Sequence, residues 1–260
     1  MPLRCQWFPG GIPSAPVSAE PETKRRADLV RPATPIGPAA AAGGWTFGWV
    51  GGSLLVAPLV IAAVGAELGD DLTIPQLAAV VAGGWIMFGA ALVFVSRRQG
   101  TGSPVRDYAI RFAPIDLVGV PIGIATQLAL VPALYWPLRS VWPDTFSGDR
   151  LEQRARELAD SAGGWKTLLL IGIVVVGAPL VEEIVYRGML QRSFATAIGP
   201  VFGLLTVSVW FSLIHLSPVE YPGLFLAGLV FGGTLLVTDR LGPAIVTHAA
   251  FNATGLLFVL

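Results

Sequence analysis

The stretch Trp165 to Leu190, WKTLLLIGIVVVGAPLVEEIVYRGML, decides how this chain is read. Up to Val181 its only charge is Lys166 beside the leading Trp, and the run has the length and apolarity of a bilayer-crossing helix, for which about 20 residues suffice. Glu182, Glu183 and Arg187 then interrupt it. Ionisable groups near the membrane centre cost about 2.5 to 3.5 kcal/mol each on insertion scales, so three of them need partners or water. On a helix Glu183 and Arg187 stand four apart on one face and can pair, which also makes them candidates for simple packing glue. Glu182 is turned about 100° from Glu183 and is not needed for that pair. It is the acid left for chemistry.

The rest of the chain fits the same setting. Of 260 residues 53% are apolar and only 13% charged, about half the charge of an ordinary soluble domain. Mean hydropathy is +0.67. Seventeen basic and 17 acidic residues balance, which speaks against a nucleic-acid partner. The single cysteine, Cys5, lies in a polar stretch and offers neither a disulfide framework nor a buried nucleophile. The two histidines, His215 and His248, both fall in apolar runs.

Residues 1–44 hold eight of the 21 prolines and read as a disordered cytoplasmic tail. From Trp45 onward seven apolar runs are expected to be helices, at 45–66, 74–96, 116–138, 165–190, 198–216, 220–238 and 242–260, because a bilayer cannot hydrate an open backbone. The fold class is therefore an all-α polytopic transmembrane bundle, with N-terminal helices and connections over 45–164 and a candidate catalytic segment over 165–260. Gly48/Gly52, Gly119/Gly123, Gly199/Gly203 and Gly228/Gly232 are small-residue pairs suited to close helix approach. Basic residues in the tail and at Arg97, Arg98, Arg106 and Arg111 place the N-terminus in the cytoplasm. Asp149 to Ala159 reads as an amphipathic helix on the opposite surface. The abundance of Arg over Lys, with Ala and Gly, suggests a bacterial plasma membrane as the location.

Spans four and five should form a hairpin reversing near Gly199 and Pro200. Glu182 lies 17 residues before Gly199 and His215 16 after it, so the two can meet at one depth. Phe211, one turn before His215, is expected to wall the same pocket. His248 and Asn252 share a face of span seven. Singly, each has a plain reading as an interhelical hydrogen-bonder; together they supply what a hydrolytic site needs. One geometric condition attaches: His215 is near the end of its span and His248 near the start of its own, so the hairpin must protrude or span five must stop short.

The order and spacing of these residues resemble the signatures of the CPBP family of intramembrane proteases, which includes the CAAX prenyl endopeptidases of the Rce1 type and bacterial Abi proteins. EExxxR is Glu182, Glu183 and Arg187; FxxxH is Phe211 to His215; HxxxN is His248 to Asn252. The resemblance covers about residues 165–260 and continues through YRGML and HLSP. It implies a CAAX-protease-like core, a peptide or lipidated protein substrate, and a cavity open to the cytoplasm.

Hydrolysis needs an activated water and donors for the oxyanion. Glu182 assisted by His215 suits the first task, and His248 with Asn252 the second; Arg187 would fix Glu183 and shape the mouth of the pocket. This reading needs no cofactor. The alternative keeps the residues and adds zinc on Glu182, His215 and His248, although no HExxH is present. Ser208 and Ser212 lack a nucleophile-elbow context, and Asp70, Asp71, Asp116 and Asp239 sit at span ends, against serine and paired-aspartate sites. A non-enzymatic transporter or a binding protein conferring resistance is the rival from another class; a transporter would show an inverted repeat, which is missing here, and a binding protein would tolerate Glu182→Gln.

Overall fold

The computed structural model describes residues 36–260, which fall in one structural unit. All seven expected runs are helices. They are α1 (Pro38–Ala63), α2 (Ile74–Gln99), α3 (Pro114–Val141), α5 (Trp165–Ile198), α6 (Pro200–Leu213), α7 (Tyr221–Thr238) and α8 (Leu241–Leu257), with the amphipathic α4 (Gly148–Asp160) between α3 and α5. No strand occurs among the described residues. Five of these, α1, α2, α3, α5 and α7, are long and apolar enough to cross a membrane. The protein is a multi-pass membrane protein. Residues 38–44, read from composition as tail, are the first two turns of α1: Pro38 sits at the first helical position, where its missing N–H costs nothing, and Ala residues follow. The remainder of that expectation, up to residue 35, lies outside the described residues.

Proline also explains the shape of the long helices. α1, α3 and α5 each widen to a π-helical stretch, at Gly51–Val56, Thr126–Leu130 and Gly172–Gly177, just ahead of Pro58, Pro132 and Pro179. A proline cannot donate to the preceding turn and its ring pushes against that turn's carbonyl. The fourth π stretch, Glu183–Gln191, has no proline. It carries the charged cluster, and eight of its nine residues are buried. Widened turns of this sort gather at functional sites.

α5 runs for 34 residues, about 51 Å, whereas α6 has 14, about 21 Å. Gly199 alone joins them, with φ +89°, a conformation open to glycine. Span five does stop short: His215 falls in the turn just past α6, level with the middle of α5.

The small-residue pairs mark the tightest contacts. Gly119 and Gly123 of α3 lie on α8, where an added Cβ would run into the backbone at Pro243 and Thr247. Gly228 and Gly232 of α7 make room for Ser208 of α6 and Gln191 of α5. At one end of the bundle the α7–α8 turn is clasped by charge: Asp239 pairs with Arg192 and Arg111, and Arg240 lies 2.5 Å from Asp116. Leu241 and Gly242 donate backbone bonds of 3.0 and 3.1 Å to Ala109 and Arg111. Neighbouring Tyr108 is fully buried and donates to the Leu92 carbonyl at 2.6 Å; burial pushes its pKa up and keeps it a donor. The clasp fixes the start of α8 and so the register of His248.

Candidate active site

Glu183 is the centre of a buried knot. Its Oε1 accepts from Arg187 Nη1 at 2.9 Å and from His248 Nδ1 at 2.8 Å, with all three side chains at most 5% exposed. Arg187 Nη2 also reaches the Gly228 carbonyl at 3.3 Å, and its guanidinium lies over the rings of Phe211 and Phe231 at 4.4 and 5.4 Å. Arg187 is thus sealed in the core and does not form a pocket mouth: the π-helical stretch turns it inward, toward the Glu183 carboxylate that neutralises it. Sequence spacing gave the Glu183–Arg187 pair but not the bond from Glu183 to His248, which joins residues 65 apart.

That bond sets the histidine's tautomer. A carboxylate accepts only, so Nδ1 of His248 carries the hydrogen, and Nε2 is directed toward Glu182 Oε2 at 4.0 Å. A gap of that size suits one bridging water. The ring itself is stacked on Phe231, centroids 4.4 Å apart. His215 is held by the same logic: its Nδ1 donates to the Phe211 carbonyl at 2.7 Å, leaving Nε2 as the free edge.

Glu182, 28% exposed, escapes the knot. With His215 it lines a cavity of about 230 Å³ walled by Trp49 of α1, Trp85 and Phe88 of α2, and Tyr186 of α5. The expected convergence of Glu182 and His215 is therefore seen. Phe211 lies one layer behind: it is 1% exposed and packs on His215, Tyr186 and Arg187. Sequence reasoning missed the aromatic walls from α1 and α2, which carry no motif. It also passed over Tyr186, whose spacing of four from Glu182 was the available signal.

Asn252 stands apart from the cavity lining. Its Nδ2 donates to the Val174 carbonyl at 2.8 Å. In the π-helical stretch Ala178 already bonds Ile173, and the residue due to bond Val174 is Pro179, which has no N–H. Asn252 supplies the missing donor from α8. Ser212, set aside as a nucleophile, donates to the Tyr221 carbonyl at 2.8 Å, and Ser208 is buried against Gly228.

The donor set for zinc does not assemble: among the described residues no three His, Cys, Asp or Glu side chains lie together as a metal site.

These features define a membrane-embedded bundle with a buried acid–histidine–arginine knot behind a cavity holding a second acid and a second histidine. Residues 164–254, about a third of the chain, match the family model described as Type II CAAX prenyl endopeptidase Rce1-like, and over this segment the chain is similar to that family. No curated protein and no solved structure matches the chain.

Proposed function

We propose that the protein is an intramembrane endopeptidase in which Glu182 and His215 activate water against a peptide bond of a C-terminal or juxtamembrane segment, on a peptide or lipidated protein. The observation that carries this reading is the shared cavity, in which the one acid free of the Glu183 knot faces the histidine whose Nδ1 edge is already spent. Glu182 takes a proton from water while His215 Nε2 accepts the other hydrogen and fixes its orientation. The hydroxide adds to the carbonyl carbon, and the electron pair moves to oxygen. Glu182 then returns its proton to the amide nitrogen as the C–N bond breaks. His248, locked by Glu183, keeps its acceptor Nε2 on the Glu182 side, 4.0 Å from the carboxylate, where a water donating to both would hold that carboxylate in place. Asn252 ties α8 to α5 one turn from His248 and acts as a positioning residue. The basic connections support a cytoplasmic N-terminus.

The test is turnover of an internally quenched farnesylated CAAX peptide by the protein in detergent or liposomes. Glu182→Gln keeps the shape of the side chain and removes the base, and turnover is expected to fall at least about 10³-fold, within the range that loss of a general base produces. Wild-type rates in this variant would overturn the assignment. A strong chelator in the same assay is expected to leave turnover unchanged, whereas loss restored by zinc would replace the metal-free reading.

A further inference from the structure

Buried tyrosine hydroxyls find partners. Tyr108 donates to the Leu92 carbonyl at 2.6 Å and Tyr135 to the Val219 carbonyl at 2.8 Å. Tyr186 differs: it is 5% exposed and lines the cavity with Glu182 and His215, and its hydroxyl, which the Trp45 indole N–H approaches as a donor, has no acceptor for its own hydrogen among the described residues. A hydroxyl hydrogen left without an acceptor is unfavourable. Such a cost is offset where a ligand supplies the acceptor.

Its placement is set by the helix. Tyr186 follows Glu182 by four residues, so the two occupy neighbouring turns of α5, and the π-helical widening carries Tyr186 inward with the rest of the cluster. The ring is braced edge-on against Phe211, centroids 5.2 Å apart at 83°. Its fixed ring and a spacing set by backbone are what an oxyanion donor requires. Asn252, the amide in the sequence-based scheme, is committed to Val174 outside the cavity lining.

We infer that the Tyr186 hydroxyl is a further catalytic group, donating a hydrogen bond to the substrate carbonyl oxygen as it becomes the oxyanion. The O–H bond is not broken: the proton cycle stays between water, Glu182 and the leaving nitrogen, and Tyr186 stabilises the charge that develops one atom away. This inference rests on the proposed peptidase reading and adds a residue to it.

Tyr186→Phe removes the oxygen and keeps the ring on Phe211. On the quenched farnesylated CAAX peptide it is expected to lower kcat about 10²-fold with KM within about twofold, the loss usual for one oxyanion donor. A peptide aldehyde, whose hydrate mimics the tetrahedral species, is expected to bind Tyr186→Phe weaker by the same factor. Binding of the intact peptide to Glu182→Gln and to Glu182→Gln/Tyr186→Phe is expected to be equal. Unchanged kcat in a folded Tyr186→Phe, while Glu182→Gln is inactive, overturns the inference and leaves the peptidase reading standing. Equal losses in intact-peptide binding and turnover overturn it too, since they mark packing. Cleavage by Glu182→Gln, or none by wild type, removes the reading and the inference together.

Discussion

The two adjacent acids of α5 have opposite fates, and the difference is a matter of one residue's rotation. Glu183 points into the knot, where two donors share one oxygen, and Glu182 faces the cavity. Removing one partner of a buried ion pair leaves the other uncompensated, at about 3 to 5 kcal/mol. Glu183→Ala strands both Arg187 and His248 and is expected to lower thermal stability in detergent by about that amount. Glu182→Ala, made at a partly exposed position without a short bond, should melt close to wild type while losing turnover. A melt that dropped equally in both would contradict this division of structural and catalytic roles. At this scale the sequence went far: Glu182, Glu183, Arg187, Phe211, His215, His248 and Asn252 were all legible from charge, spacing and motif. It could not show which atoms each would meet, because Asn252's partner depends on a donor missing at Pro179 and Arg187's surroundings on a π-helical widening that no residue pattern announces.

At the scale of elements, seven helices were legible from apolar runs because the bilayer leaves the backbone one solution. Their ends were less so: α1 starts at Pro38, and α5 continues to Ile198. The α6–α7 turn that carries His215 is held from outside its own sequence. Tyr135 of α3 donates to the Val219 carbonyl and accepts from the Gly223 N–H at 3.1 Å, a donor of the first turn of α7 that the helix cannot satisfy. Leu216, next to His215, has φ +54°, so the turn stays in a disfavoured conformation while it is pinned. Tyr135→Phe leaves the buried Gly223 N–H and the partly buried Val219 carbonyl unpaired, the buried group alone worth about 1 to 3 kcal/mol. Hydrogen exchange over residues 215–224 is expected to accelerate at least tenfold with the other helices unchanged, and turnover to fall with it. Unaltered exchange in that segment would show that the tyrosine does not hold the turn.

At the scale of the whole molecule, a 34-residue α5 beside a 14-residue α6 makes a bundle of uneven depth. The cavity lies where α6 ends, bounded by α1 and α2 rather than by further motif-bearing helices. Orientation is a separate matter, set by basic connections. Cys5 is the single native cysteine, so a Cys5→Ser background allows single cysteines at residues 106, 152 and 196 to be labelled from one side of the membrane in sealed vesicles. Residues 106 and 196 are expected to react from the cytoplasmic face and 152 from the other. The reverse pattern would invert the topology.

The sequence by itself determined the membrane environment, the all-α class, the helix order and the signature residues, since each follows from local composition, spacing or motif. The tertiary structure alone decided that Glu183 and not Glu182 is locked to His248, that Arg187 is sealed from any opening, and that α1 and α2 wall the cavity. It also decided that Asn252 mends a carbonyl left open by Pro179, and that Tyr186 stands beside the acid with no acceptor for its hydroxyl hydrogen. Those outcomes depend on which buried groups find partners across helices, and in a low-dielectric interior every such partner is set by packing between residues far apart in the chain.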